Sequence, residues 1–200
     1  MPENISTKDV KELRDKTGAG IMECNNALRE CKGDVTKASE WLKRKGLVNA
    51  DKKKDRVTKS GYIGSYIHAN GKIGVLIEVA CESDFVAKNE KFQEMIKELC
   101  LQITAMSPVV VSREDLSQEM LQKEREFYAQ EMKGKPPQMV EKIVEGKLEK
   151  LFYNQKCLLE QPYVKDDKIK IIDLVKNCIS QFGENIVVKR FVRFELGKYE

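Results

Sequence analysis

The sequence predicts an α+β protein: a three-helix N-terminal domain, then a core in which helices pack on a small antiparallel sheet of about three strands. Three observations predict it. In the first fifty residues, apolar side chains recur at helical spacing between glycine stops. Two β-like runs flank Asn70-Gly71, a dipeptide that favours a hairpin because both residues tolerate positive φ. A third alternating run, Ile186 to Leu196, follows a helix-period stretch that stops at Gly183.

The elements follow in order. Ser6 or Thr7 caps a first helix carrying Val10 and Leu13, with Gly18 past its end. Ile21, Cys24, Leu28 and Cys31 form the stripe of a second, closed by Gly33. Asp34 caps a third, with Val35, Ala38, Trp41 and Leu42 before Gly46. Trp41 is read as core, because a tryptophan buries so much area. This places the N-terminal domain at residues 1–48. Residues 49–59 (NADKKKDRVTK) are almost without apolar side chains and read as a linker, its lysines a solvated hinge. The core domain is then 60–200. Strands are expected over Tyr62–His68 and Ile73–Cys81. A helix carries Phe92, Met95, Ile96, Leu99, Cys100 and Ile103, and Pro108–Val111 is a short extended piece. Leu116–Met132 is helical, Lys135-Pro136-Pro137 breaks the chain, and Val140 to Phe152 marks another helix. The stretch CLLEQPYVKDD is read as a loop. Ile171–Phe182 is helical, and the last strand sets Ile186, Val188, Val192, Phe194 and Leu196 on one half-buried face.

Composition narrows the function. The chain has 200 residues, 41% hydrophobic and 34% charged, with a formal net charge of +4. That balance permits an acidic partner without demanding one. No apolar run resembles a signal peptide or is long enough to span a membrane, so a cytoplasmic protein is expected. The six cysteines contain no C-x-x-C pair and sit mostly in apolar periodic runs, as reduced core thiols do. With one histidine, His68, a zinc site or a Cys–His dyad is poorly supplied. No phosphate-binding loop, dinucleotide fingerprint or nucleophile elbow occurs. The expectation is a protein that is not an enzyme and carries no cofactor or metal.

The stretch ESDFVAKNEKF, from Glu82 to Phe92, stands out where the second strand gives way to helix. Ser83 suits an N-cap and Asp84 the positive end of a helix dipole. Locally, Phe85 fits a residue folded back into the core as well as one left projecting.

Three stretches resemble the motifs of bacterial elongation factor Ts: LRDKTGAGIMECNNAL (Leu13–Leu28), EVACESDFVAK (Glu78–Lys88) and CLLEQPYVKD (Cys157–Asp166). GDVTKASEWLKRKG and GENIVVKRFVRFELG extend the resemblance over nearly the whole chain. That family usually carries Thr where Ser83 stands, Asn where Ala80 stands and Lys where Asn25 stands. The last departure removes a charge from the N-terminal motif.

The resemblance implies guanine-nucleotide exchange on elongation factor Tu in translation elongation. It implies that Ser83, Asp84, Phe85 and Val86 form a corner that wedges Asp84 and Phe85 near the Mg²⁺–nucleotide site of that GTPase. It implies that Thr17, Gly18, Ala19, Gly20, Ile21 and Met22 dock on the GTPase domain, and that His68 meets a different domain of the partner. For His68 a plain strand-end residue is an equal reading on local grounds. Long forms of the family have two related core halves. This sequence has one, so a homodimer in a 2:2 complex is expected, with Ile186 to Leu196 at the subunit interface. The alternative is an RNA-binding protein or an adaptor for a ubiquitin-like partner, without exchange activity, since the first fifty residues resemble the three-helix ubiquitin-associated fold. Against the first, no aromatic–basic interleaving lies on an expected sheet face, so no direct nucleic-acid contact is expected. The second leaves the α+β body unexplained.

Overall fold

The computed structural model describes residues 5–132, 134 and 136–198. Lys135 of the expected Lys-Pro-Pro break and the extreme ends of both expected domains lie outside these. The architecture is α+β, with helices accompanying a three-stranded antiparallel sheet. The chain divides into two compact units, taken in turn below.

The first unit comprises Met1–Gly61, Ala80–Phe92 and Asp173–Val187. Its N-terminal part is three helices: α1 (Thr7–Thr17), α2 (Ile21–Glu30) and α3 (Val35–Asp51). Ser6 caps α1 by accepting the Asp9 N–H, and Asp34 caps α3 by accepting the Lys37 N–H. Val10, Leu13, Cys24, Ala27, Leu28, Ala38 and Leu42 form their buried cluster. Trp41 packs on its rim, half-buried under the Lys45 ammonium 4.5 Å from the ring centroid. α3 does not end at Gly46 but runs on to Asp51. A Cβ at Gly46 would lie 2.7 Å from the Ser180 hydroxyl, so this glycine admits the close approach of α9 (Ile171–Phe182) rather than terminating a helix. The charged stretch after α3 is tied down. Asp51 pairs with Lys176 at 2.7 Å, and the Asn185 side chain donates to the carbonyls of Lys54 (3.1 Å) and Arg56 (2.9 Å).

The second unit comprises Tyr62–Val79, Gln93–Ile172 and Val188–Glu200. It holds most of the sheet, whose strands β1 (Ser60–Ile67), β2 (Ile73–Cys81) and β5 (Ile186–Glu195) lie in the order β1-β2-β5. β1 and β2 form the expected hairpin. Gly71 alone takes positive φ, at 67°, while the Asn70 side chain accepts the Lys72 N–H. Val75, Ile77 and Val79 are buried, as are Met95, Ile96, Leu99, Cys100 and Ile103 of α5 (Glu90–Met106).

β5 departs from the expected half-buried face. Ile186 and Val188 are buried, but Val192, Phe194 and Leu196 are exposed. On the opposite face of β5, Arg193 donates to the carbonyl of Thr104 in α5 and pairs with Glu195 at 2.6 Å. Lys189 and Arg190 are both exposed, so the alternation changes phase there and the two halves of the strand do not share one covered face. Here the long arginine stem takes the helix side.

The expected loop at CLLEQPYVKDD contains a two-stranded ladder, β3 (Pro162–Tyr163) with β4 (Asp166–Lys170). Its backbone groups find partners on α5 as well as on each other. The buried Gln102 amide donates to the Gln161 side chain and the Pro162 carbonyl, and accepts the Val164 N–H at 2.9 Å. Glu98 accepts from the Tyr163 hydroxyl (2.5 Å) and Lys165 (2.7 Å). Beside it, α6 (Gln118–Gln130), α7 (Pro137–Lys147), a π-helical turn at Leu148–Phe152 and α8 (Tyr153–Lys156) share a buried cluster of Leu116, Tyr128, Val144, Leu148, Phe152 and Cys157.

Arg113 braces this region. Its guanidinium forks onto both oxygens of Glu149, donates Nε to Glu160 at 2.7 Å and lies 4.2 Å from the Tyr153 ring centroid. Burial pushes the Glu160 carboxyl up, but hydrogen bonds from Arg113 and Lys170 outweigh it and hold it below the ordinary 4.5. The unfolded chain therefore binds the proton more readily. The stabilisation is complete above pH 4.5 and is lost as the pH falls through the lowered folded value. Glu160→Gln is expected to flatten the acid limb of a stability-against-pH curve below that point. An unchanged acid limb would remove this contribution.

Candidate functional site

The corner at 82–86 is built by a cap and two side-chain anchors. β2 ends at Cys81, and Ser83 takes an extended conformation as N-cap of the single-turn helix α4 (Asp84–Ala87). Its Oγ accepts the Val86 N–H at 3.5 Å and donates to Glu184 Oε1 at 2.5 Å. The Ser83 N–H donates to the other oxygen of Glu184 at 3.0 Å. Asp84 accepts from the Ser60 hydroxyl at 2.5 Å. Glu82 accepts the Asn185 N–H at 2.6 Å and lies 3.6 Å from Arg56.

Val86 and Ala87 are buried, so the turn is pinned from below. Phe85 points the other way and is 90% exposed. Of the two local readings of Phe85, the projecting one describes its position. Cys81 lies under the corner, its thiol pushed up by burial and by the nearby Glu184 charge. Ala80, at the family's Asn position, is buried, and a larger polar residue there would need a partner.

The Thr17–Met22 loop joins α1 to α2. The Thr17 hydroxyl donates to the Leu13 carbonyl at 2.7 Å and accepts the Ala19 N–H at 3.3 Å. Gly18 is the left-handed cap of α1, with φ 69°. A Cβ there would also meet the Gln181 amide at 2.7 Å, which would have to move aside. Gln181 donates to the Thr17 carbonyl at 3.1 Å. Gly20 is the extended N-cap of α2, and behind it Ile21 and Met22 are exposed, Met22 by 79%. Asn25, at the family's Lys position, bonds back to the Ile21 carbonyl at 3.1 Å within its own helix.

Both loops belong to the first unit and share a mount, the end of α9 and the residues after it, through Gln181 and Glu184. Gly18 lines one concavity with Lys88, Asn89, Glu90, Lys91 and Gln181. His68 belongs to the second unit. Its backbone N–H bonds the Ile73 carbonyl across the hairpin, and its exposed ring nitrogen lies 3.4 Å from the Tyr66 hydroxyl. Ser60, Gln181 and Glu184 had no local signal in the sequence. Each acts on a residue far along the chain, Glu184 on one 101 positions away.

The sequence model of the family "Elongation factor TS" matches residues 48–198. The chain is 52% identical over 195 residues to elongation factor Ts of Thermodesulfovibrio yellowstonii, covering 97% of each chain. It is 52% identical to that of Nitratidesulfovibrio vulgaris over 198 residues and 98% of each chain, and 50% identical to that of Methylacidiphilum infernorum over 198 residues, 99% of this chain and 98% of the relative. The chain belongs to the elongation factor Ts family. As a member of the elongation factor Ts family, it has a role in translation elongation.

All six cysteines are free, and five of them are buried. Burial pushes Cys100, Cys157 and Cys178 up to about 11, which makes them poor nucleophiles near neutral pH. Among the described residues no cluster of three or more His, Cys, Asp or Glu could hold a metal ion. No helix among them is long and apolar enough to cross a membrane.

Proposed function

We propose that this member of the elongation factor Ts family is a cytoplasmic guanine-nucleotide exchange factor for elongation factor Tu, with no catalytic chemistry and no cofactor of its own. The observation that carries the reading is Phe85: an aromatic side chain 90% exposed on a turn whose base is capped, buried and hydrogen-bonded. A turn so held presents its side chain to a partner with little backbone ordering left to do. Pushed between helices of the GTPase near its Mg²⁺ site, Phe85 displaces packed groups, and a close-packed interior yields in discrete shifts. The phosphate and metal ligands then lose their alignment, and GDP leaves.

Burying one phenylalanine returns only roughly 1.5–3 kcal/mol. Further contacts must hold the factor in place. Thr17–Met22 supplies them, with Ile21 and Met22 as apolar anchors on the GTPase domain, and His68 meets a second domain of the partner. No proton transfer is needed. Factor and GDP weaken each other's binding by the same ratio, because linkage is reciprocal. The test is complex formation followed by size-exclusion chromatography. The factor should co-elute with nucleotide-free elongation factor Tu and be displaced by excess GDP. Co-elution that is indifferent to GDP would contradict exchange.

The functional form in this reading is a two-fold dimer in a 2:2 complex. Ile63, Ile67, Leu76, Val192 and Phe194 are exposed on the sheet face opposite α5, around the Arg190–Glu78 pair at 2.7 Å. A second copy covers such a face by presenting the same patch.

A further inference from the structure

We infer that Glu184 is a positioning residue for the Asp84–Phe85 corner, so that removing its carboxylate slows nucleotide release without unfolding the sheet. This inference rests on the exchange reading above. The sequence places Glu184 just past Gly183, the left-handed cap of α9 with φ 72°, so its backbone direction is set by a helix end. Its two carboxylate oxygens are both used on one residue. Oε2 accepts the Ser83 N–H at 3.0 Å and Oε1 accepts the Ser83 hydroxyl at 2.5 Å.

That bidentate grip has a consequence for the hydroxyl. Ser83 Oγ must turn its proton toward Glu184, which leaves its lone pairs for the Val86 N–H of α4. Glu184 thus fixes both the cap residue and the rotor that starts the turn. A helix of four residues, Asp84–Ala87, holds few hydrogen bonds of its own to fix the direction of Phe85. The orienting contacts come from outside: Glu184 on Ser83 and Ser60 on Asp84. The neighbouring Asn185 ties the same segment to Glu82, Lys54 and Arg56, so the mount itself is held. Glu184 touches neither the exposed ring nor, in the proposed complex, the nucleotide. Its effect passes through Ser83.

The experiment uses the full chain with Glu184→Ala, Glu184→Gln and Phe85→Ala. Two quantities are read: GDP release from elongation factor Tu at saturating factor, and amide hydrogen exchange. Losing charge-assisted hydrogen bonds to a cap residue is expected to slow release about tenfold in Glu184→Ala. Glutamine can still accept the Ser83 N–H and donate to its Oγ, so Glu184→Gln should stay within about threefold of the unaltered chain. Amide exchange in Glu184→Ala should rise at Ser83–Val86 and stay unchanged at Val75–Val79 of β2. Unaltered release in Glu184→Ala overturns the inference. So does slow release accompanied by faster amide exchange throughout β2, which marks a general loss of stability. If Glu184→Ala does not fold, Glu184→Asp, whose shorter side chain draws the carboxylate back from Ser83, takes its place with the same two outcomes. Phe85→Ala separates this inference from its premise. Rapid release by Phe85→Ala discards the wedge itself, whereas slow release by Phe85→Ala beside unaltered release by Glu184→Ala discards only the positioning role.

Discussion

Phe85→Ala is expected to slow GDP release from elongation factor Tu by about thirtyfold while leaving the fold intact. The ring is 90% exposed, so its removal opens no cavity, and surface truncations of this kind change stability by about 0.5 kcal/mol or less. The loss falls on the complex instead. Truncating a central aromatic anchor costs on the order of 2 kcal/mol, which is about thirtyfold in a rate. Circular dichroism and thermal melting check the first half of this expectation and stopped-flow release of labelled GDP the second. A variant that melts much earlier would return Phe85 to the core. A variant that melts normally and releases GDP at the unaltered rate would remove Phe85 from the mechanism.

The second large effect concerns assembly. The sheet face bearing Ile63, Ile67, Leu76, Val192 and Phe194 is too apolar to stay wet cheaply, with Ile63 67% and Phe194 65% exposed. Face-to-face burial in a two-fold dimer should remove roughly 2,000 Å² or more in total. Phe194→Lys with Ile63→Lys places two like charges from each subunit on that face. The double variant is expected to sediment at the 23.0 kDa chain mass, and the unaltered chain is expected at twice that. Neither side chain fills the interior of a single chain, so loss of the dimer should precede any loss of secondary structure. An unaltered chain that sediments as a 23.0 kDa species at micromolar concentration and still drives exchange would contradict the dimer as the functional form.

Much of the fold was legible because its signals are local. The Ser83 cap, the Asn-Gly hairpin and the helical stripes of α1, α2, α5 and α9 each depend on residues within one or two turns. The features that escaped depend on residues far apart in sequence. Gly46 reads as a stop, yet it lies within α3, because a small residue there lets Ser180 of α9 approach. The β3–β4 ladder is too short and polar to show a period, and Gln102 and Glu98 of α5 complete its hydrogen bonding. The single face expected for β5 does not run its whole length: Lys189 and Arg190 are both exposed and shift the phase of the alternation, so Arg193 comes to the side of α5 while Val192 and Phe194 are exposed.

The site divides in the same way. Its exposed tips, Phe85, Ile21 and Met22, lie in stretches that stand out in the sequence. Their supports, Ser60, Gln181 and Glu184, do not, because a polar residue serving a distant backbone carries no mark of that service. In the exchange reading proposed above, the tips meet the partner and the supports set where the tips point.

The exchange reading is tested most directly by the dissociation rate of a fluorescent GDP from elongation factor Tu, followed as this chain is added at increasing concentration with excess unlabelled GDP present. The account predicts a rate that rises with factor concentration to a plateau on the order of a hundredfold or more above the intrinsic rate, the size of coupling that an opposing binding energy of about 3 kcal/mol supplies. A rate that stays at the intrinsic value at every concentration, with the factor shown to be bound, would contradict it.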